Sequence, residues 1–220
     1  MQLEPLLLSI EIATIATALS AAIGVGVAAL LSARAFRGRD ALDVLVTAPM
    51  VMPPTVLGYY VLVVLGRRSP IGVAFEALTG GTLVFSRAGA VVAAGIGAFP
   101  LVAKSARAAF ESVDPVFVRA ARTLGASSLR AFFTVTVPLA RRGLFAGLML
   151  GFARSMGDFG LTLMVAGDIP GETRTASLAI YDAIQENRQD EALLLSVVLT
   201  AAALGILYAA GKLASASDAG

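Results

Sequence analysis

Arg154 and Asp158 stand inside an otherwise apolar run from Gly143 to Gly167, and any chemistry in this chain has to start from them. Charges within an apolar segment are costly and face a cavity or a partner. Their i, i+4 spacing puts both on one helix face, where they can pair. Two readings stay open. The pair neutralises itself and fixes the orientation of its helix, or Arg154 lies beside a path and lends weak positive potential to a passing anion. At 1.5 Å per residue from Gly143, Arg154 lies about 16 Å deep, near the middle of a hydrocarbon core about 30 Å thick. Ser155 is the neighbouring nucleophile, but the chain has no His to activate it, and a guanidinium cannot accept the proton. The absence of both His and Cys excludes thiolate and imidazole chemistry, Cys/His zinc sites and disulfide scaffolds. A phosphate-cradling loop ends in Gly-Lys-Ser/Thr; the only Gly-Lys here is Gly211-Lys212, followed by Leu213. The chain is therefore read as no enzyme, with no cofactor, no metal and no ATP site of its own.

The elements that must hold these residues belong in lipid. Of 220 residues 57% are hydrophobic and 15% charged, and the mean hydropathy is +0.83. Soluble domains are nearer half apolar and a quarter charged. A helix needs about 20 apolar residues to cross a bilayer. Uncharged runs extend over Ile12–Ala33, Val44–Gly66 and Ala192–Gly211. A shorter one, Ala88–Ala103, becomes long enough if it starts near Leu83 with Arg87 snorkelling to the interface. With Gly143–Gly167, the expectation is an all-α membrane protein of about five transmembrane helices, six being the alternative count. The spans fall at about 10–33, 43–66, 83–105, 140–167 and 191–212, in a single domain over 1–220. Glu4 and Glu11 stand where a signal peptide would be basic, so the first segment is expected to remain in the mature protein. The short tail from Ala214 to Gly220 reads as disordered.

Within the spans, Pro49, Pro53 and Pro54 each remove a backbone donor. The carbonyls they free must face protein or a watery cavity, so the second span is expected to be kinked and near the pathway. Were the substrate an anion, bare carbonyls would be a poor binding site, and they are assigned no ligand contact. Gly143, Gly147 and Gly151 recur every fourth residue, a spacing that brings helix backbones close, either within one subunit or across a dimer axis.

Five spans divide the loops into two sets. One holds Arg34, Arg37, Arg39, Lys104, Arg107, Arg119, Arg122, Arg130, Arg141, Arg142 and Lys212; the other holds Arg67, Arg68, Arg87, Arg174 and Arg188. The more basic set should be cytoplasmic, which places the amino terminus outside and the carboxyl terminus inside. The external segment from Gly167 to Glu191 carries a short amphipathic stretch around Leu178, Tyr181 and Ile184. It reads either as a lid or docking surface for an extracytoplasmic partner, or as a solvated acidic loop.

The long cytoplasmic segment from Lys104 to Arg142 contains its own punctuation. Asp114-Pro115 is a helix start, and Gly125 is a left-handed stop. Phe117, Ala120, Ala121 and Leu124 share a face between them while Arg119 and Arg122 point elsewhere. The pattern predicts a separately capped helix at about 115–125. Its face fits a groove in a partner protein or the headgroups of a bilayer.

Arg119-Ala-Ala-Arg-Thr-Leu-Gly125, nine residues, then Val135-Thr-Val-Pro138 resembles the cytoplasmic "EAA" signature of ABC-importer permeases. Ala120, Ala121, Gly125 and Pro138 match in spacing, whereas Arg119 replaces the signature's Glu, so no salt bridge from that position carries over. Pro49-Met-Val-Met-Pro-Pro54 through Tyr59, Gly66-Arg-Arg68, Phe85-Ser-Arg-Ala-Gly89, Phe152-Ala-Arg-Ser155, Gly157-Asp-Phe-Gly160 and Ile169-Pro-Gly-Glu-Thr-Arg-Thr175 are similar to molybdate-transport permeases. Asp158 stands where those usually have Glu. Sulfate permeases share much of the pattern, and Ile169-Pro-Gly-Glu-Thr173 tilts the resemblance to molybdate.

The resemblance implies the type I ABC importer permease fold, in a bacterial inner membrane, importing molybdate, with tungstate or sulfate as alternatives. It implies that 115–125 is a coupling helix seated on a separate ATP-hydrolysing subunit through Arg119, Ala120, Ala121, Leu124, Gly125 and Pro138. It further implies an extracytoplasmic molybdate-binding protein and a homodimer working by alternating access. Pro53, Pro54, Arg154, Ser155 and Asp158 are the candidate pathway residues. Lipid is a partner and nucleic acid is not. A secondary transporter that uses the Arg154–Asp158 pair as an ion-linked switch is the competing class; it leaves the capped cytosolic helix unexplained.

Overall fold

The computed structural model describes residues 4–32 and 36–216. Arg34 of the basic set and residues 217–220 of the expected tail lie outside the described residues. All regular structure among the described residues is helical. The order is α1 (Glu4–Ser32), α2 (Arg39–Val51), α3 (Pro54–Leu65), α4 (Pro70–Thr79), α5 (Arg87–Glu111), α6 (Pro115–Thr123), α7 (Ser128–Ala131), a π-helical turn (Phe132–Thr136), α8 (Val137–Met156), α9 (Gly160–Ala166), α10 (Ala176–Gln185) and α11 (Gln189–Ala216). Helix α11 thus continues through Ala214–Ala216, where the tail was expected to begin. Four helical stretches are long and apolar enough to cross a membrane, and five if the bent pair α2–α3 is one span.

The centre is α5, against which α1 and α8 pack. Lipid tails are as apolar as leucine, so burial gives no drive to join two spans; close backbone approach does. The buried faces are accordingly alanine-rich: Ala13, Ala16 and Ala28 of α1, and Ala90, Ala94, Ala98 and Ala103 of α5. The expected glycine ladder lies inside the subunit, on α5. A methyl group on Gly143 would stand 2.5 Å from Ala109 Cβ, one on Gly147 2.6 Å from Ser105 Cβ, and one on Gly151 2.5 Å from Val102 Cγ2.

Prolines and a glycine set the interruptions. Met52 N–H closes the last bond of α2, on Ala48 O; Pro53 and Pro54 have no N–H to continue it, and α3 leaves at 116° to α2. The stretch expected as one span at 43–66 is therefore two helices meeting at a corner. Pro138 has the same effect in milder form. Without its N–H, the ladder before it slips to an i→i−5 bond, Val137 N–H to Phe132 O, and a π turn results. The run expected at 140–167 ends one helix at Met156 and starts another at Gly160. Helix α5 starts at Arg87 rather than 83, because the Ser86 hydroxyl accepts from Gly89 N–H. It outruns 105 because its terminal cations are partnered: Lys104 Nζ meets Asp43 Oδ1 at 2.7 Å, and Arg107 bridges Asp43 and Glu111.

Replacing Gly147 by Leu should strain the α5–α8 seam by about 1–3 kcal/mol or more. Gly205→Ala, at an open position of α11, should leave stability intact or raise it by about 0.5–1 kcal/mol. Thermal unfolding of the two detergent-purified variants checks the contrast, and equal midpoints would refute the seam.

Candidate functional site

Helix α6, Pro115–Thr123, lies within the stretch expected at about 115–125 and projects from the end of the bundle. Asp114 Oδ1 accepts from Val116 N–H at 2.8 Å, with Pro115 in the first turn. At the other end Gly125 takes φ +90°. There Gly125 N–H bonds Arg122 O at 3.1 Å and Ala126 N–H bonds Ala121 O at 3.0 Å. This pair of bonds around a left-handed glycine is the Schellman closure. Both ends are thus satisfied by neighbours in sequence, and its contacts are with α7 and the π turn. None of its residues is buried. Of the expected face, Phe117, Ala120 and Leu124 are exposed, Leu124 by 89%, while Ala121 is half-buried toward the bundle. Arg119 and Arg122 are exposed, and among the described residues neither has an ionic partner. Pro138 lies exposed at the second position of α8, after the π turn that α6 touches.

The second site is the junction between α8 and α9. Arg154 Nη1 donates to Asp158 Oδ1 at 3.0 Å. The other carboxylate oxygen, Oδ2, accepts from Thr162 N–H at 2.9 Å and from its hydroxyl at 2.8 Å. Asp158 is sealed at 1% side-chain exposure, whereas Arg154 keeps 36%. The cation therefore sits where α8 ends on its carbonyls and the anion where α9 opens on its amides, so each charge meets the complementary helix terminus. Gly97 of α5 lies against the pair: a methyl there would stand 3.5 Å from Arg154 Nη2 and 3.6 Å from Asp158 Oδ1. Ser155 is buried and donates to Ala94 O at 3.4 Å, consistent with a packing hydroxyl.

The proline corner comes to the same place. Gly160 abuts Pro54, where a methyl would lie 2.9 Å from Pro54 Cβ, and Gly58 abuts Met164 at 2.8 Å on the same measure. The structure thus brings Pro53–Pro54, Arg154, Ser155 and Asp158 into one region through the α3–α9 crossing. The residues α6 and Pro138 belong to a separate region, the end of the bundle that carries Arg39, Lys104 and Glu111.

At the opposite end the segment after Gly167 is tied down. Arg174 pairs with Asp168 at 2.8 Å and Asp182 at 2.9 Å. The fully buried Thr173 hydroxyl bonds Gly167 O and Ile169 N–H. Of the expected amphipathic stretch, Leu178 is core, while Tyr181 and Ile184 are exposed, with the Tyr181 ring tilted at 53° against Phe159, 5.0 Å between centroids. Thr162, Gly97, Gly58 and Gly160 were not singled out in the sequence as partners of the charged pair. Asp158 four residues before Thr162, just after Gly157, was the available sign of a helix start.

Among the described residues no cluster of three or more potential metal ligands exists, and nothing activates Ser155. A bundle of lipid-compatible helices with an exposed, doubly capped helix at one end and a charged junction within it is the build of a transport permease. The chain belongs to the family of binding-protein-dependent transport system inner membrane components, whose pattern matches residues 20–214. It is 44% identical over 182 residues to the molybdenum transport system permease protein ModB of Escherichia coli (strain K12), covering 83% of this chain and 80% of that one. It is 40% identical over 191 residues to the ModB of Haemophilus influenzae, covering 87% and 83%. Among solved structures, a chain of the MetNI methionine ABC transporter in an inward-facing form superposes with a TM-score of 0.77 at 17% identity, over 98% of this chain and 95% of that one. The fold is that of a type I ABC importer permease.

Truncating Asp158 to Ala leaves the Arg154 guanidinium and the Thr162 donors unpaired. The expected cost is about 3 kcal/mol, read as a lower unfolding midpoint. An unchanged midpoint would mean that the pair does not hold the junction.

Proposed function

We propose that this chain is the transmembrane permease subunit of an ABC importer that brings molybdate across the cytoplasmic membrane, with hydrolysis supplied by a separate ATPase subunit. The observation that carries this reading is the 44% identity, over 83% of the chain, to a permease named for molybdenum transport. In this reading α6 is the coupling helix: Phe117, Ala120 and Leu124 enter a cleft of the ATPase, Arg119 and Arg122 reach its rim, and Gly125 and Pro138 set its angle to α8. Arg119 in place of the family's Glu removes an acid from that contact. The α6 end is cytoplasmic, with the amino terminus outside and the carboxyl terminus inside, supported by the basic residues gathered at that end. One copy with five crossings encloses little, so the path lies between two copies of the chain. An extracytoplasmic protein delivers the oxyanion, and its release requires that no site along the path hold it tightly.

Arg154 suits such a path because Asp158 already takes most of its charge. The partly exposed guanidinium offers a dianion free N–H groups without the full field of an unpaired cation. ATP and ligand then shift the inward and outward forms only by their differential affinity for each.

The direct test reconstitutes the chain with its ATPase and binding protein in proteoliposomes and follows labelled molybdate. Uptake should need ATP, survive collapse of the proton gradient and resist excess sulfate. Uptake that follows the proton gradient would overturn the ABC assignment, and sulfate competition at equal concentration would overturn the substrate. Gly125→Val should break the left-handed cap and lower molybdate-stimulated ATP hydrolysis at least tenfold while the spans remain folded; unaltered stimulation would refute the role of α6. Arg154→Gln combined with Asp158→Asn removes both charges and keeps the shapes. It should cut the uptake rate about tenfold, equivalent to about 1.4 kcal/mol of barrier, and wild-type uptake by a folded double variant would exclude Arg154 from the path.

A further inference from the structure

Helix α4 is folded by local devices, and among the described residues most of its apolar surface is left uncovered. Ser69 caps it by accepting from Gly72 N–H at 2.9 Å, and Gly80 closes it at φ +74°. Its angle to α3 is set by Gly72, whose Cα packs so closely on the Gly66 carbonyl that no side chain fits. A fork from Arg67 to Glu76 adds to this, with Nη2 to Oε1 at 2.6 Å and Nε to Oε2 at 3.1 Å. That fork keeps the Glu76 carboxyl below its ordinary range and ionised. The helix is therefore fixed in place yet uncovered. Ile71, Ala74, Phe75 and Leu78 fall on one face by their i, i+3, i+4, i+7 spacing. Ile71 is 48% exposed and Leu78 86%, with Phe75 between them half-buried.

The chain path says where this surface lies. Residues 66–69 join α4 to the end of α3 and reach at most about 14 Å. On the other side Leu83 and Val84 are buried, and Phe85 N–H bonds Val165 O at 2.9 Å, just before α5 starts at Arg87. Both ends of α4 are thus anchored where two membrane segments meet water on the same side. Val63 and Val64 of α3, which lead into the link, are exposed as well. Arg68 in that link is exposed and, among the described residues, has no partner. The only acid on α4, Glu76, is already neutralised by Arg67.

We propose that α4 lies in the headgroup layer of the bilayer, with Ile71 and Leu78 in the acyl boundary and Arg68 on a lipid phosphate. Apolar side chains on one face with an unpaired cation at the base are what an interfacial helix requires. The acyl boundary also begins at the level where α3 ends. A soluble protein partner would use the same cation, but it would have to cover the exposed Val63 and Val64 that lead into the link as well. The inference requires that α3 and α5 be membrane segments; it does not depend on the transported ion, and its test involves no transport.

The chain has no cysteine, so a single nitroxide can be placed on Leu78→Cys, a substitution that removes no packing. Val197→Cys, exposed on α11, serves as the lipid reference, and Glu186→Cys, exposed between α10 and α11, as the water reference. In nanodiscs of phosphatidylethanolamine and phosphatidylglycerol, collision rates with oxygen and with a water-soluble nickel chelate report depth. The Leu78 label should favour oxygen several-fold more than the Glu186 label and approach the Val197 label. Adding Arg68→Glu should shift it toward water when phosphatidylglycerol is present. A Leu78 label as open to nickel as that at Glu186 would overturn the proposal. Shielding from both reagents, alone or on adding the extracytoplasmic binding protein, would overturn it in favour of a protein contact. No response to Arg68→Glu would remove the phosphate contact.

Discussion

Every peptide group that enters a bilayer must find its hydrogen bonds inside the protein, and this requirement governs where the helices break. Each break costs carbonyls or amides their partners. The corner at Pro53–Pro54 and the gap at Gly157–Phe159 are the two interruptions within the apolar runs, and they lie against each other. At the second, the Asp158 carboxylate takes up the Thr162 amide and hydroxyl. At the first, α3 is pressed on α9 through Gly58 and Gly160, so that protein rather than lipid lines the corner. Buried charge and broken helix thus offset each other: the carboxylate is tolerated in the interior because a helix begins there, and the helix can begin there because a carboxylate caps it.

The same economy explains the abundance of alanine and glycine. A seam made of Ala90 and Ala94 against α1, and of Ala98, Val102, Ser105 and Ala109 against three glycines of α8, brings backbones together with little side-chain volume between them. Dispersion falls off steeply with distance, so a seam of this kind has high contact density and little tolerance for an added methyl. By contrast, Leu193, Val197 and Leu204 of α11 are large and exposed, as suits a helix whose outer side meets acyl chains. The bundle therefore has a stiff heart, α1–α5–α8, with more loosely covered elements around it.

What could be read from sequence follows this division. The spans were legible because length and hydropathy are additive over a run, and α6 because Asp114, Pro115 and Gly125 write both caps within a dozen positions. Its prediction needed nothing from elsewhere in the chain. The break between α8 and α9 was obscured because Gly157-Asp-Phe-Gly160 sits in a run whose average remains apolar. Lys104 and Arg107 read as the end of a span, yet α5 passes through them, because Asp43, 61 positions away, supplies the counter-charge. Glycine spacing announced close approach for Gly143, Gly147 and Gly151 without saying to what. Gly58 and Gly160 gave no such sign, each being single. Contacts between distant segments are set by shape, and a single chain's periodicity does not carry that information.

On the proposed reading, α6 must pass displacement to the bundle, and the structure restricts where the chain can yield. From α6 the path runs through α7 and the π turn into α8, which ends at Arg154 and the junction with α9 and α3. Over Gly143–Gly151 the helix is locked to α5 at distances that leave no room for sliding. At Phe132–Pro138 the ladder has already lost one donor and slipped to the wider i→i−5 pattern, so bending there sacrifices less than it would in an intact turn. Phe132, between Phe110 at 5.2 Å and Phe133 at 5.3 Å, can roll on aromatic edges without exposing polar backbone. The hinge therefore belongs at the π turn, outside the glycine seam. Whatever displacement passes that hinge would then move α1, α5 and α8 as one body, carrying Arg154 and the α9 junction with them, while the surfaces left free to change are those of α2 and α3 around the proline corner.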